Sequence, residues 1–270
     1  MKPLTRADYF QQNVLCNLLH NEKTIWFCKH EYVQQDFEQI NQLDNEVIFI
    51  CGNSDYQVDE TTLINRPKNV KYIFATNCFV SNNEDIFTIP IGIESVETTM
   101  RDGHGVGFNF AADKIYHLNR IKSVASQTKN LIYSNFSVNT NHAVRQHIND
   151  YIHSCNYITI ENNVSLEYYF NQICSHEAVL CPIGNGCDTV RTYETLYCGK
   201  VPIIYGRDTI YKSLLYDLPC VYIDTLDELH NYKHISTKIE EAKAKTLNLD
   251  KAYLNYWVDK ILKYEQLFSV

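Results

Sequence analysis

Arg191 and Glu194 stand three positions apart in the run CPIGNGCDTVRTYETLYCGKVPIIYG, Cys181 to Gly206, the most informative segment of the chain. A strand reading ends at Pro182. A loop with Gly184, Asn185 and Gly186 follows, and glycines let a backbone approach a ligand closely. Asp188 and Thr189 are residue types that cap a helix N-terminus well. The start of that helix offers free amides and the positive end of a dipole, a ready anion site. Arg191 lies one turn in, with Glu194 on the same face. On one reading, Arg191 and the helix start take a diphosphate while Glu194 accepts hydrogen bonds from ribose hydroxyls. On the other, Arg191 and Glu194 form a surface ion pair worth about a few tenths of a kcal/mol. Spacing alone leaves both open. The loop is neither GxGxxG nor a P-loop, which disfavours a dinucleotide-dependent dehydrogenase and a P-loop nucleotidase.

Other carboxylates and histidines sit where strands end. Asn53-Ser54-Asp55 follows the strand-like EVIFICG, and Asp also serves such turns by local hydrogen bonding alone. Glu94 follows IFTIPIG, and His104 lies in the turn DGHG, Asp102 to Gly105.

These residues need a scaffold, and the pattern supplies one. Apolar runs of strand length alternate with segments of helical period, the signature of parallel βα units. TIWFCK, EVIFICG, VKYIFAT and IFTIPIG read as strands of a first half, with EYVQQDFEQINQL as a helix. A polar stretch, a short helical segment and the linker candidate IKSVASQTKN follow. The alternation restarts at NLIYSNF and runs through YITIE, EAVLCPIG, KVPIIYG and PCVYID, with helices between them. Two helical stretches, STKIEEAKAKTL and DKAYLNYWVDKILKYEQLF, end the chain. The expectation is an α/β protein of two Rossmann-like domains, 1–126 and 127–249, facing a central cleft. Ligands of such sheets bind outside the carboxyl ends of the strands. Those ends carry Gly52 to Asp55, Gly92 to Glu94, Asn135 to Thr140, Pro182 to Asp188 and Tyr205 to Asp208.

Composition bounds the partners. Among 270 residues, 24 Lys and Arg against 32 Asp and Glu leave a net charge of −8, which argues against a nucleic-acid binder with a broad basic surface. No stretch approaches the about 18 apolar residues of a membrane span, and no signal peptide is visible, so a cytoplasmic location is expected. The 10 cysteines contain no CxxC pair. Buried free thiols are the simpler reading, and the ligand spacing of a zinc site is lacking.

The run PxGxGxDTxRxYExLxxGxVPIIxG resembles the C-terminal signature of exostosin-like glycosyltransferases of the GT-B fold, a group that includes small xylosyltransferase-type enzymes of large algal viruses. YSNFSVNT with Arg145, GNSDY at Gly52 to Tyr56 and IPIGIES at Ile89 to Ser95 resemble further landmarks of the group. The resemblance implies a nucleotide-sugar donor, with UDP and xylose as the expected nucleotide and sugar, and a glycan acceptor. It places diphosphate contacts at Arg191 and Arg145, the ribose at Glu194, and Gly184, Asn185, Gly186, Asp188 and Thr189 around the phosphates. It makes Asp55 the base that activates the acceptor hydroxyl, with Glu94 and His104 as rival bases or acceptor contacts. It also implies that the final helix, about 250–270, packs back on the first domain, and that a viral enzyme of this kind works in the host cytoplasm. Arginines replace a metal at the leaving diphosphate, so no metal or cofactor is expected, and the sequence has no DxD. Many retaining GT-B enzymes carry two glutamates eight positions apart around this same helix. Here the eighth residues from Glu194 are Gly186 and Pro202, so inversion is expected. Two alternatives stand beside this reading: a nucleotide- or carbohydrate-binding protein that lost catalysis, and a nucleotide-sugar epimerase, for which no YxxxK pair accompanies the missing GxGxxG. The oligomeric state is not legible.

Overall fold

The computed structural model describes residues 8–80, 84–121, 128–205, 214–215, 217–245 and 249–269. Most of the linker candidate and most of the helix expected after Gly206 lie outside these residues. The chain forms two compact α/β units, each built on a parallel sheet.

The N-terminal unit comprises Thr5–Asn109, Gly186–Asp188 and Asp250–Val270. Its sheet has the order β1 (Ile25–Lys29), β2 (Val47–Gly52), β3 (Val70–Ala75), β4 (Ile86–Thr88), all parallel. Every residue of β2 is buried, as expected of a strand covered on both faces. Alternate residues face opposite sides. Val47, Phe49 and Cys51 share a core with Phe37 and Ile40 of helix α2 (Val33–Ile40). A sheet wound in one direction puts its crossovers on one face, so the other face needs cover from elsewhere. Helix α1 (Gln12–Leu19) and the last helix, which packs on β2, provide it. On that last helix Tyr264 packs at 4.5 Å from Tyr72, 4.9 Å from Phe87 and 6.0 Å from Phe74, ring centre to ring centre. Helix α1 carries no side-chain cap bond, and its buried face includes the polar Gln12 and Asn13, which explains why the apolar pattern did not announce it.

The C-terminal unit comprises Phe110–Asn185 and Thr189–Leu249 among the described residues. It begins with helix α3 (Phe110–Ile121), ahead of the expected boundary near 126, because α3 packs on helix α5 (Leu166–Ser175). Strands β5 (Asn130–Ser134), β6 (Ile158–Ile160), β7 (His176–Leu180), β8 (Val201–Tyr205) and β9 (Val221–Ile223) take the order β6-β5-β7-β8-β9, all parallel. The winding reverses between β5 and β7, so helices cover both faces. One face packs Ile132, Ala178, Leu180 and Ile203 against helices α4 (His142–Ile152) and α7 (Tyr232–Ala244). The opposite face meets α5 and α6 (Val190–Tyr197). Helix α8 (Leu254–Glu265) is the one that closes the N-terminal sheet. Among the described residues, no helix is long and apolar enough to cross a membrane.

Candidate functional site

In the C-terminal unit the winding reverses between β5 and β7, and the loops after these strands flank the switch point, where a crevice takes the ligands of such sheets. Arg145 of α4 braces it. Its buried guanidinium donates to Ile183 O at 2.8 Å, Ser137 O at 2.9 Å and Pro182 O at 3.4 Å, and lies 5.7 Å from the centre of the Phe136 ring. One cation thereby ties the loop after β5 to the loop after β7. Any diphosphate contact of Arg145 has to share the guanidinium with these carbonyls. Asn141 adds a second tie. Its Oδ1 caps α4 at Val144 N, and its Nδ2 donates to Gly184 O at 2.7 Å. Asn185 is exposed.

Beyond this loop the chain enters α6. The N-cap is Thr189, in extended conformation, with no side-chain bond to the helix amides, and its Oγ1 lies 3.2 Å from that of Thr192. Asp188 is not the cap. It belongs to the N-terminal unit, where its Oδ2 accepts from Ile91 N at 2.9 Å and its amide donates to Asn77 Oδ1 at 3.0 Å. Gly186 is there too. A Cβ at this position would stand 2.8 Å from the Asn77 amide nitrogen, so the close approach it permits is to Asn77.

Glu194 does not form the surface ion pair with Arg191. It is 4% exposed, Tyr169 Oη donates to its Oε2 at 2.8 Å, and Lys114 Nζ stands 2.6 Å from its Oε1. Burial pushes this carboxyl up, but Lys114, Arg191 and the Tyr169 hydroxyl outweigh it and hold it below the usual carboxylate range. Burial drives the Tyr169 phenol well above its ordinary value, so Tyr169 donates as a neutral hydroxyl. Arg191 is half-buried beside Tyr169, Cys181 and Glu194. Its Nε is buried and has no hydrogen-bond partner among the described residues. A buried donor without an acceptor is costly, about 1–3 kcal/mol and more for a charged group, so such a donor needs an explanation. Two cations around one carboxylate leave a positive charge over, and an anion satisfies both the charge and the donor. Sequence spacing pointed to Arg191 and Glu194. Lys114 and Tyr169 were missed, because they sit on α3 and α5, far from α6 in sequence.

The remaining candidates lie in the N-terminal unit, after β2 and β4. Asn53, at φ 52°, is held by its backbone and by its side chain: its backbone N–H donates to Gln12 Oε1, and its Nδ2 donates to Asn13 Oδ1 and to His104 O, each at 2.7 Å. Asn77 Nδ2 donates to Ser54 O at 3.1 Å. Asp55 follows on this anchored turn and is exposed. Glu94 is half-buried, two residues after Gly92, whose φ of 68° and contact with Phe10 O require glycine. His104 is buried, and its Nδ1 accepts from Lys29 N at 3.0 Å. Burial and the nearby Arg101 bring it down to about 4, so it is neutral at physiological pH with one ring nitrogen occupied. That arrangement suits a structural histidine better than a base.

His104 also stands with Cys28 and Asp36 in a buried group whose ligand-type atoms lie within 4.8 Å of one another. Here a guanidinium already fills the cation's part. Arg101 donates to both Asp36 oxygens, at 2.5 and 3.0 Å, and to Phe27 O, while Trp26 Nε1 donates to Asp36 at 2.9 Å. The group reads as a polar lock between β1, α2 and the loop around Arg101. None of the ten cysteines forms a disulfide.

No family model matches the chain, and no curated protein matches it. Among solved structures it is similar to an alpha1,3-fucosyltransferase, at 13% identity over 90% of this chain and 77% of that one, with a TM-score of 0.49. It is also similar to an alpha1,3-fucosyltransferase with GDP-fucose, at 14% over 82% and 77%, TM-score 0.44. A third is AviGT4, a glycosyltransferase involved in avilamycin A biosynthesis, at 12% over 87% and 78%, TM-score 0.39. Likeness this remote transfers no residue role.

Proposed function

We propose that the chain is a glycosyltransferase of the GT-B type that moves a sugar from a nucleoside diphosphate to a hydroxyl of a glycan acceptor. The observation that carries this reading is the buried Nε of Arg191, without a hydrogen-bond partner among the described residues, in a cluster where Arg191 and Lys114 exceed the charge of Glu194. A diphosphate is the anion that the strand-end position and the helix start of α6 favour.

In the proposed reaction the acceptor oxygen attacks the anomeric carbon as its bond to the diphosphate breaks. Asp55 takes the acceptor proton, help typically worth about 10²- to 10⁴-fold. Arg191 and the amides of α6 stabilise charge on the departing diphosphate, a preorganised electrostatic contribution. Arg145 holds the crevice in shape. A single displacement inverts the anomeric carbon, and the cations of the crevice stand in for a metal. Xylose rests on the sequence resemblance alone.

Titration calorimetry with nucleoside diphosphates tests the donor site. Arg191→Ala is expected to weaken binding by about 1.5–3 kcal/mol. Unchanged affinity would move the diphosphate elsewhere, and transfer lost to EDTA but restored by Mg²⁺ or Mn²⁺ would overturn metal independence. One observation favours a second reading, a nucleotide-binding protein without transfer: Asp55 lies on an exposed turn, where aspartate is common for local reasons. Turnover of nucleotide sugars separates the two.

A further inference from the structure

At the carboxyl end of β6 a shallow pocket of about 450 Å³ is lined by Glu161, Asn162, Val164, Ser165 and Tyr168. Glu161 is half-buried, and no lysine or arginine pairs with it among the described residues. Instead two phenols fix its carboxylate. Tyr168 Oη donates to Oε1 at 2.9 Å and Tyr133 Oη to Oε2 at 3.2 Å. A carboxylate has about four lone-pair sites, so each oxygen retains accepting capacity after these two bonds. The tyrosines have spent their protons on Glu161, which makes this end of the pocket an acceptor surface. The Tyr168 ring is 44% exposed beside it.

The pocket and the Arg191 cluster belong to one carboxyl edge of one sheet. Strand β6 lies two places from β7, about 10 Å at ordinary strand spacing. A row of side chains joins them: Glu161 to Tyr133, the Tyr133 ring to the Tyr169 ring at 6.2 Å, and Tyr169 to Glu194. That span is comparable with the reach of a nucleoside diphosphate from the hydrogen-bonding edge of its base to its phosphates.

We infer that Glu161 reads the base of the donor nucleotide and that this base is guanine; the inference rests on the donor-site reading above. Guanine presents two adjacent donors, N1–H and the N2 amino group, which match the two oxygens of a carboxylate in a bidentate pair. Uracil presents one N–H flanked by two carbonyl oxygens, which a carboxylate repels. Adenine and cytosine each set an acceptor beside their amino group, so neither makes the second bond. Discrimination therefore comes from repulsion as well as attraction. The uridine nucleotide implied by the sequence resemblance would meet an unfavourable group here.

The test is titration calorimetry of the full chain with GDP, UDP, ADP, CDP and inorganic pyrophosphate, on wild type and Glu161→Gln, with thermal melts of both proteins. GDP is expected to bind at least about 10-fold more tightly than the other nucleotides. Glu161→Gln should weaken GDP by about 10- to 100-fold while leaving pyrophosphate binding unchanged, which a merely structural defect would not do. UDP binding as tightly as GDP, or a GDP preference that survives Glu161→Gln, overturns the assignment of base and residue while the donor site stands. Absence of binding by all five compounds overturns the donor site itself and the base assignment with it.

Discussion

Lys114 Nζ stands 2.6 Å from Oε1 of Glu194, with both side chains largely withdrawn from water, so α3 is fastened to α6 by an ion pair inside the C-terminal unit. Removing the carboxylate that Lys114 and Arg191 share leaves both cations uncompensated. Glu194→Gln is therefore expected to destabilise this unit by about 3 kcal/mol or more in urea denaturation. Adding Lys114→Met should recover part of that loss, because one of the two bare cations is then removed. A double variant as unstable as the single one would mean that Lys114 acts by packing alone.

Acid should weaken the N-terminal unit through His104. Its folded value of about 4 lies below the unfolded value of about 6.5, so the unfolded chain takes up a proton first. Stability is expected to fall as pH drops from about 6.5 to 4, with the slope of a single proton. His104→Asn, which keeps an acceptor for the Lys29 amide, should remove that component. Urea midpoints at intervals across this range are the measurement, and an unchanged slope in the variant would assign the effect to another group.

Arg145→Ala should act on stability as well as on binding. Three carbonyls, Ser137 O, Pro182 O and Ile183 O, lose a charged donor at once. Each buried acceptor left unpaired costs about 1–3 kcal/mol, reduced where water enters. A lowered thermal midpoint without nucleotide is the expected result. A variant as stable as wild type, with weakened nucleoside diphosphate binding, would return Arg145 to direct phosphate contact.

Asp55→Asn keeps the shape of the side chain and removes proton acceptance. Transfer is expected to fall by at least about 100-fold, with donor affinity near wild type. Parallel Glu94→Gln and His104→Asn variants complete the comparison. If Asp55→Asn stays active and Glu94→Gln does not, the base is Glu94.

The strands were legible because they are built on apolar runs of strand length, most plainly Val47–Gly52, where period and burial agree. Helix α6 was legible for a related reason: glycines, cap residues and an Arg191–Glu194 spacing all fall within one short segment. What escaped was non-local. Nothing near Glu194 in sequence announces Lys114 or Tyr169, and nothing near Arg145 announces the carbonyls it braces. Asp188 has the chemistry of an N-cap yet accepts from Ile91, and Gly186 makes room for Asn77, so local propensity was overruled by a distant partner. Helix α1 hid because its buried face carries Gln12 and Asn13, whose amides hold the carbonyls of Ile91, Glu97 and Val106.

The sheet of β1 to β4 is closed by a helix that is synthesised after the C-terminal unit. When β1 to β4 leave the ribosome, Tyr72, Phe74 and Phe87 have no Tyr264 to cover them. The whole C-terminal unit, with its own core, is translated before α8 appears. The nascent chain thus passes through a stage in which its second half can be finished while its first half still shows a bare aromatic face. Apolar surface left bare at such a stage favours aggregation.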